Sequence, residues 1–193
     1  MIKTLCVFAS SSNNLEECYY SDAKEIGRLI GMSGMSIVYG GSRLGMMYAC
    51  AKEVRINGGK VIGVMPERLY SHFGFGNPDD CDEFILTKGM RERKEKMDEI
   101  SDGVIALAGG FGTLEELSEM ITQKQLGYNK KPIVLLNTDN FYSNLTSFFD
   151  TIIEKGFAKP NSKELYYIAN SPFDAINYIK SYKIENLNYA GKF

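Results

Sequence analysis

The 193-residue sequence predicts an α/β fold, a doubly wound and mainly parallel sheet with helices on both faces. Three observations point to it. Short apolar runs of strand length recur along the chain, most end in Gly, Ser or Asn, and most are followed by ten or more residues at helical spacing. Strand and helix in alternation give parallel neighbours joined by helical crossovers, and ligands of such sheets bind outside the carboxyl ends of the strands.

Taken in order, residues 5–9 form the first apolar run and end in Ser10-Ser11-Ser12-Asn13, ahead of a helical pattern over 15–32. The run 36–39 meets Gly40-Gly41-Ser42-Arg43-Leu44-Gly45 and a helix over 45–57. Run 60–65 leads into 70–83, whose glycines, Asn77 and Pro78 read as a loop, with a weaker strand over 83–87 and a helix over 89–100. Run 104–107 opens on the turn Ala108-Gly109-Gly110-Phe111-Gly112 and a helix over 113–126. Run 132–136, a helix over 143–155, a weaker strand over 165–169 and a helix over 172–181 complete a single domain spanning 1–182. From 183 to 193 the chain is polar and without periodicity, which reads as a loose tail.

Composition narrows the function. A net charge of −2 offers no field for a polyanion, so nucleic acid is not an expected partner. Cys6, Cys18, Cys50 and Cys81 are scattered and His72 is the sole histidine, so no metal site is expected and the thiols read as reduced. With no apolar stretch of membrane-span length, the expectation is a cytoplasmic protein without a membrane partner.

Two segments carry the chemistry. In the 108–116 turn, glycines let backbone N–H groups approach an anion, the helix start adds a positive dipole end, and Glu116 follows one turn later. Thr113-x-x-Glu116 also matches a capping box, a purely local role for both side chains. The second segment, 90–97, places Met90, Arg93, Lys94 and Met97 within an arc of roughly 100°. Two cations on an apolar face need a pocket, an interface or buried carboxylates, because unpaired charge is costly to bury. The Gly40, Gly41 and Gly45 turn is either a second donor cluster or simply a tight strand-to-helix passage. It does not match Gly-x-Gly-x-x-Gly, which argues against a standard NAD site. Phe73 and Phe75 stack on a base or pack within their own loop, and Phe141, Tyr142, Phe148 and Phe149 suit a core or dimer face.

The stretch Ala108 to Glu116 resembles the Pro-Gly-Gly-x-Gly-Thr-x-x-Glu signature of the LONELY GUY family, cytokinin riboside 5′-monophosphate phosphoribohydrolases often labelled lysine decarboxylases. Met90 to Met97 is similar to the same family's Met-x-x-Arg-Lys-x-x-Met element, and the likeness runs from the N-terminus to about Asn137. The resemblance implies a Rossmann-like homodimer that cleaves a nucleoside 5′-monophosphate to free base and ribose 5-phosphate, with no cofactor. It implies Arg93 and Glu116 as the catalytic pair, with Lys94 beside them. Gly109, Gly110, Phe111, Gly112 and Thr113 would form the phosphate turn, and Thr122, Ser10, Gly40, Gly41 and Gly45 would complete the substrate site. Ala108 stands for the family's Pro, Ser42 for a common third Gly, and Tyr48 for a Gly after the Leu-Met pair. Two other classes stay open: a carrier resembling molybdenum cofactor carriers, and an amino-acid decarboxylase, which needs a pyridoxal phosphate lysine in a recognisable setting.

Overall fold

The computed structural model describes residues 2–74 and 76–183. Seven parallel strands form one sheet: β1 (Thr4–Phe8), β2 (Ser36–Tyr39), β3 (Val61–Pro66), β4 (Glu83–Thr87), β5 (Gly103–Ala106), β6 (Ile133–Leu136) and β7 (Tyr167–Ala169). Their spatial order is β4-β3-β2-β1-β5-β6-β7. The chain therefore winds outward from β1 to one edge, returns to β5 on the other side of β1, and winds outward again. The reversal lies between β1 and β5, where a crevice opens at the carboxyl ends.

Alternation along the buried strands divides the core in two. Leu5, Val7, Ile37, Tyr39 and Ile105 face α1 (Glu17–Met32), α2 (Gly45–Ile56) and α7 (Pro172–Ser181). Cys6, Phe8, Val38, Val104 and Ala106 face α4 (Met90–Glu99) and α5 (Phe111–Gln125). Tyr142, just before α6 (Ser143–Glu154), is buried in this second layer and donates its hydroxyl to the Leu107 carbonyl at 2.7 Å. That bond holds the chain just before the glycine turn.

The expected loop over 70–83 is only partly a loop. Glu67–Phe73 forms the short helix α3, which ends at Gly74 with φ of 61°, and Pro78–Asp80 forms a 3-10 turn. Two turns of helix are too short for apolar periodicity to register. A second correction concerns α5, which begins at Phe111 rather than 113, with Gly110 as its N-cap. The expectations for the Phe73 and Phe75 side chains, and for the tail beyond Lys183, lie outside the described residues. Among the described residues no helix is long and apolar enough to cross a membrane.

Candidate active site

A cleft of about 460 Å³ follows the carboxyl edge of the sheet between β3 and β5. Its walls come from the Ser10–Ser12 loop after β1, Gly40 and Ser42 after β2, Met65 at the end of β3, Met90 and Arg93 of α4, and the start of α5. The sheet reversal brings these distant segments together.

At its centre Arg93 and Glu116 form a buried ion pair, Nη1 donating to Oε1 at 2.6 Å, with each side chain about nine-tenths buried. Arg93 is also held from behind, its Nε donating to the Val64 carbonyl at 3.1 Å. Gly40 makes room for the guanidinium, since a Cβ there would stand 2.5 Å from Nη2. Burial raises the Glu116 carboxyl above its ordinary range, opposed by the charge and hydrogen bond of Arg93. A carboxylate so placed has proton affinity closer to neutral pH.

The start of α5 is open. No side chain caps it, and a Cβ at Gly110 or Gly112 would meet nothing within 4 Å. Thr113 lies at the third helical position, so the capping-box reading fails: Glu116 reaches Arg93 instead of turning back to the helix start. The Thr113 side chain packs on Gly109, where a Cβ would fall 2.1 Å from Oγ1. Uncapped N–H groups at the positive end of a fifteen-residue helix suit a phosphate.

The α2 start is closed. Gly45 donates to Asn13 Oδ1 at 2.9 Å, while Met46 and Met47 donate to the Ser10 carbonyl at 3.0 and 3.4 Å. The Ser10–Asn13 loop thus occupies the donors that the sequence offered as a second anion site. Gly41 has φ of 71° and lies against Phe84 and Val64. Gly41 and Gly45 therefore serve the tight passage, and of this turn Gly40, Ser42 and Leu44 reach the cleft wall.

Three expected side chains stand elsewhere. Lys94 turns away from Arg93 and pairs with Glu115 and, at 2.7 Å, with Glu119, so those two carboxylates are partnered on the outer side of α5. Phe111 is 92% exposed at the helix start. Thr122 bonds the Ser118 carbonyl at 2.8 Å and faces a groove between α5 and α6. Sequence reasoning placed Met90 in its helical motif but missed the apolar wall that it forms with Met65 and Leu69, because that wall is assembled from separate elements.

Comparison with known proteins identifies the family and the fold. A family model described as "Possible lysine decarboxylase" matches residues 47–179. A cytokinin riboside 5′-monophosphate phosphoribohydrolase of Arabidopsis thaliana is 36% identical over 184 residues, covering 95% of this chain and 80% of its own. One from Oryza sativa subsp. japonica is 36% identical over 180 residues, covering 93% and 74%. Among solved structures, the molybdenum cofactor carrier protein of Chlamydomonas reinhardtii shares the fold with a TM-score of 0.71 and 24% identity, over 93% of this chain and 97% of that one. The molybdenum cofactor binding protein of Rippkaea orientalis aligns with a TM-score of 0.71 and 25% identity, over 94% and 97%. With the family model and relatives of 36% identity spanning nearly the whole sequence, the chain belongs to the LONELY GUY family, whose model bears the lysine decarboxylase label.

Proposed function

We propose that this protein is a hydrolase that cleaves the N-glycosidic bond of a nucleoside 5′-monophosphate, AMP or a cytokinin riboside 5′-monophosphate, to free base and ribose 5-phosphate. The observation that carries this reading is the buried Arg93–Glu116 pair beside an uncapped helix start in one cleft. The printed activity of the 36%-identical relatives supports the same reaction.

In this reading the phosphate rests on the backbone N–H groups at the α5 start, among Gly110, Phe111, Gly112 and Thr113. Water adds at C1′ of the ribose, the C1′–N bond breaks with its electron pair leaving on the base, and a proton from water ends on the base. Positive charge develops on the sugar as the bond stretches, and the Glu116 carboxylate stabilises it and orients the water. Arg93 holds Glu116 in place and offers directional donors to the substrate; it is a poor proton donor at neutral pH.

The carrier reading draws on the molybdenum cofactor binding protein of 25% identity. A binding protein has no evident use for a buried acid facing the ligand, which favours the hydrolase. Among the described residues no lysine lines the cleft, so a pyridoxal phosphate decarboxylase lacks its Schiff-base residue there. A homodimer is part of the proposal: no residue of α6 is fully buried, Phe148 and Phe157 are exposed, and a second copy covering this face is expected to show in light scattering.

Purified protein incubated with AMP and with isopentenyladenosine monophosphate, followed by chromatography, tests the function. Free base and ribose 5-phosphate from either one are the expected products. Nucleotide binding without release would favour the carrier.

A further inference from the structure

Ser42 lines the cleft and is only 6% exposed, and its hydroxyl has no hydrogen-bond partner among the described residues. A buried unsatisfied hydroxyl is costly unless something present in the working state completes it. The loop is held without it. The Ser42 backbone pairs with Gly76 in an antiparallel bridge, the Arg43 guanidinium pairs with Asp80, and the Tyr48 hydroxyl donates to the same carboxylate at 3.3 Å. The main chain is anchored from outside the cleft, and the hydroxyl is left over.

Its place along the sheet edge indicates what it meets. The α5 start follows β5, the Arg93–Glu116 pair lies centrally, and Ser42 follows β2 beside Met65 of β3. A nucleotide with its phosphate on α5 and its glycosidic bond at Glu116 directs its base toward Ser42 and the apolar wall of Met65 and Leu69. We infer that Ser42 is a base-recognition residue, its hydroxyl hydrogen-bonding a ring nitrogen or exocyclic amine of the substrate base. A hydroxyl both donates and accepts, so it suits the mixed edge of a nucleobase, and rotation about Cα–Cβ turns it into the cleft that the residue lines.

This inference rests on the hydrolase reading and is tested separately from it. Binding of AMP and of ribose 5-phosphate, which lacks a base, is measured by calorimetry with and without Ser42→Ala. Both proteins carry Glu116→Gln so that AMP is not consumed. Thermal melting of Ser42→Ala alone supplies the structural control. Loss of one neutral hydrogen bond is expected to weaken AMP roughly three- to tenfold, leave ribose 5-phosphate unchanged, and leave the melting temperature equal or higher. Unchanged AMP binding, equal weakening of both ligands, or a lower melting temperature would overturn the role of Ser42. Absence of AMP binding with Ser42 intact would overturn the hydrolase reading along with it.

Discussion

The starts of α2 and α5 look alike in sequence, each a glycine turn leading from a strand into a helix, yet the structure uses their glycines oppositely. At α2 the glycines admit backbone. A Cβ on Gly45 would lie 2.6 Å from the backbone of Ser10, Ser11 and Ser12, and its φ of 60° is left-handed. At α5 two of the three glycines leave space: a Cβ at Gly110 or Gly112 would meet nothing within 4 Å, while Gly109 admits the Thr113 side chain. One turn is filled by the protein itself; the other is open at Gly110 and Gly112, as the proposed phosphate site requires. A glycine motif therefore becomes evidence of a ligand only when its donors and its empty volume both survive folding.

Substitutions separate the two turns most sharply. Gly45→Ala combines left-handed strain with backbone overlap and is expected to destabilise the fold by about 3 kcal/mol, read by urea denaturation. Gly112→Ala, by contrast, lies in an open first helical turn where Ala is the better helix former. Stability there is expected to hold or rise by up to about 1 kcal/mol, while nucleotide affinity falls about tenfold as the methyl enters the phosphate space. Equal loss of stability in both variants would erase the distinction.

Acid titration probes the group beside the open turn. Burial raises the Glu116 carboxyl above its ordinary 4.5. Between 4.5 and the raised value the folded protein holds a proton that the unfolded chain has released, so this contribution to stability declines as pH rises through that window. Glu116→Gln is expected to flatten that part of the stability–pH curve. Activity follows the ionised form and moves the other way: the acid limb of kcat/KM is expected to have its midpoint above 4.5. A limb at or below 4.5 would contradict a buried catalytic carboxylate.

The smallest effect belongs to Lys94. Its partners Glu115 and Glu119 face outward, so Lys94→Met is expected to cost no more than about 1 kcal/mol and to leave turnover within twofold. A large loss of turnover would return Lys94 to the site.

These contrasts mark what the sequence could disclose. Every strand was legible: β1, β2, β3, β5 and β6, buried almost throughout, read as short apolar runs bounded by turn residues, while the less buried edge strands β4 and β7 gave a weaker signal. Arg93 was legible as an inward cation, since its angular position on α4 is shared with Met97, which is also buried. Lys94 was not separable from it, because helical angle alone cannot say whether the neighbouring surface is the cleft or the acidic side of α5. Glu116 carried two local meanings, and only the position of Arg93 from 23 residues away chose between them. The closure of α2 depends on Asn13 and the Ser10 carbonyl, a pairing no local pattern encodes. The enclosed hydroxyl of Ser42 is likewise a property of assembly rather than of residue type.

A crystal structure of the Glu116→Gln protein with AMP tests the central claim most directly. The account predicts phosphate oxygens within hydrogen-bond distance of the backbone nitrogens at the α5 start, with ribose C1′ beside residue 116. Phosphate seated at the α2 start, or a nucleotide lying outside the cleft, would contradict it.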